Sequence, residues 1–193
     1  MSNTIHDYNE PVRDWRRALR YLEEGNRRYC EGRTAVRNVG AEERRALTEG
    51  QNPFAMVVTC SDSRVAPEVF FDQSVGDIFV ARNAGNIANV TVLGAIEFAV
   101  GFLNVPLVVV VGHSCCAAVI NAFNGGTYSE NLQTVMEKIR PAITHCENEE
   151  EAIHANLDYV VSQIKENAVV KQAGAMVIGA FYDIASGEVV FTT

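Results

Sequence analysis

Two uninterrupted apolar runs constrain this chain more than any other feature: Phe54-Ala55-Met56-Val57-Val58-Thr59 and Leu107-Val108-Val109-Val110-Val111-Gly112. A strand with one face in water shows a polar residue at every second position. Runs without that alternation fit strands buried on both faces, as in a parallel sheet covered by helices. Each run ends in a polar cluster, Cys60-Ser61-Asp62-Ser63-Arg64 and His113-Ser114-Cys115-Cys116. In open α/β sheets these carboxyl ends form the edge where ligands bind. The clusters offer thiols and an imidazole, ligand types that suit Zn²⁺. His113 and Cys116 share a face if a helical turn begins there. Ligation through Cys115 would leave His113 only two residues away, a poorer fit to one face. Cys60 comes from the adjacent strand end. Three protein ligands leave a fourth position for water, the arrangement of a catalytic zinc site.

The rest of the chain supplies the helices. Val12, Trp15, Leu19, Leu22 and Tyr29 recur at helical steps and predict an amphipathic helix ending near Gly32. Ala41–Glu49 reads as a short helix stopped by Gly50, and Pro67 as the first turn of another running to Phe71. A strand is predicted at Ile78–Arg82, then a loop Asn83-Ala84-Gly85-Asn86, then a helix at Thr91–Phe102. Further helices are expected from Cys116 to about Phe123, over 129–145 and over 149–168, with Glu149-Glu150-Glu151 complementing the dipole of the last. Ala175–Tyr182 and Glu188–Phe191 read as strands. The fold class is therefore α/β, a mostly parallel central sheet flanked by helices, with an N-terminal helical arm. At 193 residues and 48% apolar content, one domain over 1–193 is expected, with the arm over 1–50 and the core over 51–193.

A net charge of −8 argues against nucleic acid as a partner. Residues 1–45 hold ten Arg against eight acids, a net of +2, so the remainder carries −10. A basic arm and an acidic body place the arm on its own chain or on a neighbour's. The polar start reads as no signal peptide, and no apolar stretch is long enough to span a bilayer. Five cysteines, an odd number, favour reduced thiols and a cytoplasmic protein. Cys30 and Cys146 read as packing residues, and His6, His145 and His154 as exposed.

Taken together, the motifs resemble the β-class carbonic anhydrases. The pieces are Cys60-Ser61-Asp62-Ser63-Arg64-Val65, Arg82-Asn83-Ala84-Gly85-Asn86, Ala95-Ile96-Glu97-Phe98-Ala99-Val100, Gly112-His113-Ser114-Cys115-Cys116 and Gly179-Ala180-Phe181-Tyr182-Asp183-Ile184, in family order from about residue 50 onward. The resemblance implies one Zn²⁺ per chain on Cys60, His113 and Cys116, and hydration of CO₂ to bicarbonate by zinc-bound hydroxide. It implies Asp62 and Arg64 as a catalytic dyad, with Asp62 a conditional fourth ligand in members whose Arg lets go. Gln51, Phe79, Ala84 and Phe98 match the family's substrate pocket, the Gln coming across a dimer interface. A homodimer or a dimer-based higher oligomer follows, with N-terminal helices wrapping the partner. The family usually has Gly after the second zinc Cys, where this chain has Ala117 and Ala118. Members closed by bicarbonate tend to have Trp where this chain has Val57, which favours an open, unregulated site.

Two other readings share the same residues. A zinc-stabilised scaffold explains Cys60, His113 and Cys116 but gives the Asp62–Arg64 pair no role. Hydrolysis of COS or CS₂ uses the same chemistry and would differ only in the shape of the access channel.

Overall fold

Asp14 starts the first helix. Its carboxylate accepts a hydrogen bond from Arg16 N, and α1 runs Trp15–Cys30. The computed structural model describes residues 10–35 and 39–192, so His6 lies outside the described residues. There follow α2 (Ala41–Ala46), β1 (Ala55–Cys60), α3 (Pro67–Phe70), β2 (Ile78–Asn83) and α4 (Val90–Gly101). After these come β3 (Leu107–His113), α5 (Ala117–Asn124), α6 (Glu130–Ile139), α7 (Glu149–Lys165), α8 (Ala168–Ala173), β4 (Met176–Tyr182) and β5 (Val189–Thr192). Two of the expected helices are shorter than their patterns. The one over 129–145 stops at Ile139, because Pro141 has no N–H for a further turn. The one over 149–168 stops at Lys165, and Asn167 caps the separate α8 by accepting from Val169 N and Val170 N.

The strand order is β2-β1-β3-β4-β5, with the first four strands parallel and β5 antiparallel to β4. From β1 the chain steps outward to β2 and then returns to the other side for β3. The reversal opens a crevice at the carboxyl ends of β1 and β3, where Cys60 and His113 stand. Both strands are buried from end to end, as their apolar runs require.

The runs divide by alternation. Ala55, Val57, Leu107, Val109, Val111, Ile178 and Ala180 face a core completed by α1 and α3. Met56, Val58, Val108, Val110 and Val177 face a second core completed by α4, α7 and α8. A third apolar cluster, built by α5, α6 and α7, lies under the crevice and includes Cys60 and Cys116 themselves.

The seam of α1 is covered by its own chain. Val12, Ala18, Tyr21 and Leu22 are buried in the first core, and Trp15, Leu19 and Tyr29 pack against it. Gly25 lets the helix come close, since a Cβ there would fall 1.8 Å from Phe71 O. Asn26 donates to Phe70 O and Gly187 O and accepts from Val189 N. Arg28 makes a buried ion pair with Asp72 at 2.5 Å. The expectation that this seam needs a partner subunit is corrected by these contacts: the seam of α1 is buried on its own body. Among the described residues no helix is long and apolar enough to cross a membrane.

Candidate metal centre

Cys60 is the last residue of β1 and His113 the last of β3, so neighbouring parallel strands deliver both side chains to one edge. Cys116 arrives differently from the helical spacing expected. Cys115 takes φ +57, a left-handed turn that folds the chain back, and Cys116 caps the start of α5 in extended geometry. The turn is held by Ser114, whose N–H donates to Tyr182 O and whose hydroxyl accepts from Ile184 N. Ala117 and Ala118 begin α5 without disturbing this convergence. The ligand atoms of Cys60, His113 and Cys116 all lie within 4.8 Å of one another, and all three residues are buried.

The three side chains fit a soft divalent cation. His113 Nδ1 is 3.0 Å from Ser114 O. A carbonyl only accepts, so Nδ1 donates to it and Nε2 is the ring nitrogen left to face a ligand. That Nε2 is buried and has no hydrogen-bond partner. Contact with Cys116 holds the Cys60 thiol far below the ordinary thiol range, helped by His113 and by the N–H groups of Gly85 and Asp62, although burial opposes it. The same contact, with burial, pushes Cys116 far above that range. A divalent ion that takes both thiolates would release whatever protons the pair holds.

Beside these three side chains, Arg64 grips Asp62 as a fork, Nε to Oδ1 at 2.9 Å and Nη2 to Oδ2 at 2.7 Å. Arg64 N also donates to Oδ1 at 2.9 Å. The two-residue spacing thus becomes a tight turn with both side chains on one side. The fork holds the Asp62 carboxyl well below the usual carboxylate range. Sequence reasoning assigned no role to Arg82. Its Nε donates to Cys60 O at 3.0 Å and its Nη2 to Asp62 O at 2.8 Å, clamping the backbone between Cys60 and Asp62.

Comparison with known proteins decides the family. Residues 55–189 match the family model described as carbonic anhydrase. A carbonic anhydrase of Mycolicibacterium smegmatis is 36% identical over 195 residues, covering 94% of this chain and 93% of that protein. Carbonic anhydrase 2 of Mycobacterium tuberculosis is 43% identical over 137 residues, 69% of this chain and 64% of its own length. The solved structure of the β-carbonic anhydrase CcaA superposes with a TM-score of 0.70 at 28% identity, covering 90% of this chain and 86% of that one. The chain belongs to the β-class carbonic anhydrase family. It is a carbonic anhydrase, an enzyme of CO₂ hydration.

Within one chain of this carbonic anhydrase the pocket residues expected from the resemblance do not all meet. Ala84 follows β2 directly, next to Gly85, whose N–H donates to Cys60 Sγ at 3.4 Å. Phe79 pairs with Met56 in the sheet register, whereas Cys60 pairs with Asn83. Phe79 is thus four residues, about 13 Å, back along the sheet from the Cys60 level. Phe98 lies 6.0 Å from Phe79, ring to ring, and stacks on Phe102. Gln51 is exposed ahead of β1, at the opposite end of the strand that Cys60 terminates. Among the other expected residues, Cys146 packs on the third cluster but Cys30 is exposed. His145 is exposed, and His154 is exposed on one side while its ring stacks on Phe181.

Proposed function

We propose that this chain interconverts CO₂ and bicarbonate, with release of a proton, on one Zn²⁺ per chain held by Cys60, His113 and Cys116. The reading is carried by the convergence of three buried soft-ligand atoms within 4.8 Å, at the switch point of the sheet and beside a carboxylate in an arginine fork. When bound, Zn²⁺ acts as a Lewis acid that lowers the pKa of a coordinated water from 15.7 to about 7. Asp62 does the orienting. Held ionised, it can only accept, so an attacking oxygen must donate to it and turn a lone pair toward carbon. Arg64 fixes the direction of that carboxylate, and Arg82 fixes the loop that carries it. Because both Asp62 oxygens are engaged by Arg64, Asp62 is a conditional ligand that becomes available only if the fork opens. Ala84 and the apolar cluster around Cys60 and Cys116 give CO₂ a dry wall.

The working unit is read as a homodimer or a dimer-based oligomer. Support comes from the flank formed by β2 and α4. β2 is a sheet edge and is only half buried. On α4 and at its end, Val90 is 82%, Phe98 45% and Phe102 77% exposed. A second copy on a two-fold axis through this flank would cover the patch and carry one copy's Gln51, Phe79 and Phe98 toward the other's ligands. Five unpaired thiols support a reducing compartment, and we place the enzyme in the cytoplasm.

Metal analysis and stopped-flow CO₂ hydration on the parent, Asp62→Asn, Cys60→Ala and Cys115→Ala test this reading. The parent and Asp62→Asn should each hold one Zn²⁺ per chain, with hydration strongly reduced only in Asp62→Asn. Cys60→Ala should lose the metal and Cys115→Ala keep it; the reverse pattern would sink the ligand assignment. Zinc without hydration in the parent would mean a scaffold.

A further inference from the structure

The inner face of α7 is apolar, with Ala152, Ile153, Leu157, Val160, Val161 and Ile164 all buried. One amide shares it. Asn156 is 1% exposed, and a primary amide in such surroundings is costly unless it is bonded. Its Oδ1 is buried with no hydrogen-bond partner, but its Nδ2 donates to Gly85 O at 3.0 Å, across 71 residues of sequence. The one bond this side chain makes therefore lands on the turn that touches Cys60.

That turn is delicate. Gly85 sits at φ +73, ψ 20, and a Cβ there would fall 2.7 Å from Ile139 Cδ1, so the position needs glycine. Glycine also rotates more freely about both its backbone bonds than any other residue. Asn83 ties the turn from within, donating to Ile87 O and accepting from Ile87 N, each at 2.8 Å. Those bonds close the loop around Gly85 without fixing the peptide groups of Gly85 itself. On one side of its Cα is the N–H that donates to Cys60 Sγ at 3.4 Å, and on the other the carbonyl that Asn156 holds.

We propose that Asn156 is a positioning residue: by holding Gly85 O it keeps Gly85 N–H aimed at the Cys60 sulfur, and so strengthens the grip of Cys60, His113 and Cys116 on a thiophilic divalent cation. This rests on the metal reading above. Hydrogen-bond partners one step removed from a metal typically change its affinity by about 10- to 100-fold when lost.

The test uses the full chain and two variants. Asn156→Leu removes the donor at similar volume, and Asn156→Asp keeps the shape but sets an acceptor against Gly85 O. Three readouts apply: Zn²⁺ affinity by competition with a chromophoric chelator, the thiolate-to-Co²⁺ charge-transfer band, and hydrogen exchange of the Gly85 amide in metal-free protein. Both variants should lose about 10- to 100-fold in Zn²⁺ affinity, shift the Co²⁺ band and exchange the Gly85 amide faster. A residue that only packs would lower the melting temperature and leave all three unmoved. Parent-like affinity, band and exchange in either folded variant overturn the role of Asn156. A parent that takes up neither Zn²⁺ nor Co²⁺ overturns the metal reading itself. If Asn156→Leu does not fold, Asn156→Asp carries the same three readouts.

Discussion

Helices α1 and α4 cover opposite faces of one sheet, yet only α1 finds all of its cover within the chain. α1 alternates Arg and Glu with its apolar residues, and that pattern leaves one seam to bury. The first core, Asn26 and the Arg28–Asp72 pair accept it. α4 is apolar on every side except at Thr91 and Glu97. The sheet and α8 cover Val92, Ile96, Ala99 and Val100 and leave Phe98 and Phe102 stacked in the open. A helix with one apolar stripe can be satisfied by cover on one side, whereas a helix apolar all round needs cover on more sides than the sheet and α8 give it. In the dimer proposed above it is α4 that would use the second copy, although the basic charge of α1 draws the eye first.

The largest effect that tests this contrast is removal of residues 1–36. Full burial of a side chain such as Leu22 is worth about 1.5–3 kcal/mol, and α1 buries several. The truncated chain should lose its cooperative melt in circular dichroism rather than become a folded monomer. A cooperative melt in a well-dispersed truncation would show that α1 is an appendage, and would return the arm to the partner subunit.

The contrast also marks where the sequence was readable. Unbroken runs such as Leu107–Val111 announced buried parallel strands, because few other structures tolerate them in water. The cluster of Cys60, His113 and Cys116 was legible because Cys and His at strand ends are uncommon and chemically specific. The route by which Cys116 meets His113 was not, since a left-handed residue at Cys115 leaves no mark in composition. Asn26 and Asn156 were missed, and Arg82 was quoted in a motif without a role, for a shared reason: each acts on backbone atoms far away in sequence. The exposed face of α4 was invisible for the opposite reason: an apolar helix reads as core whether or not the fold covers it.

Chemistry should separate cleanly from both helices. Arg64 belongs to neither, and its side chain is 49% exposed, so replacing it should disturb packing little. Arg64→Ala frees the Asp62 carboxylate from its fork. Loss of one preorganised group of this kind commonly costs about 10²–10³ in turnover. Stopped-flow hydration should show that loss while zinc content, melting temperature and sedimentation stay at parental values. Parental turnover would reduce the pair to an ion pair at a loop, and a coupled change in sedimentation would tie the dyad to the interface.

The smallest effect in free energy is the sharpest on the comparison. Phe102 is 77% exposed at the end of α4, so Phe102→Ser gives up almost no burial in the isolated chain. Its unfolding free energy should move by less than about 0.5 kcal/mol, as for ordinary surface positions. If a second copy covers the flank, the same ring becomes a buried aromatic near the centre of an interface. Truncating such a residue commonly costs about 2 kcal/mol, roughly 30-fold in the dissociation constant. Sedimentation velocity over a dilution series should show the variant dissociating at concentrations where the parent holds together. Hydration measured on the same dilutions should fall with it, because Gln51, Phe79 and Phe98 then lack a neighbour to serve. If assembly is lost and activity is kept, each site is complete in one chain and the shared pocket is wrong. If assembly is unchanged, the α4 flank is not where the copies meet, and the outer face of α1 becomes the surface to alter next.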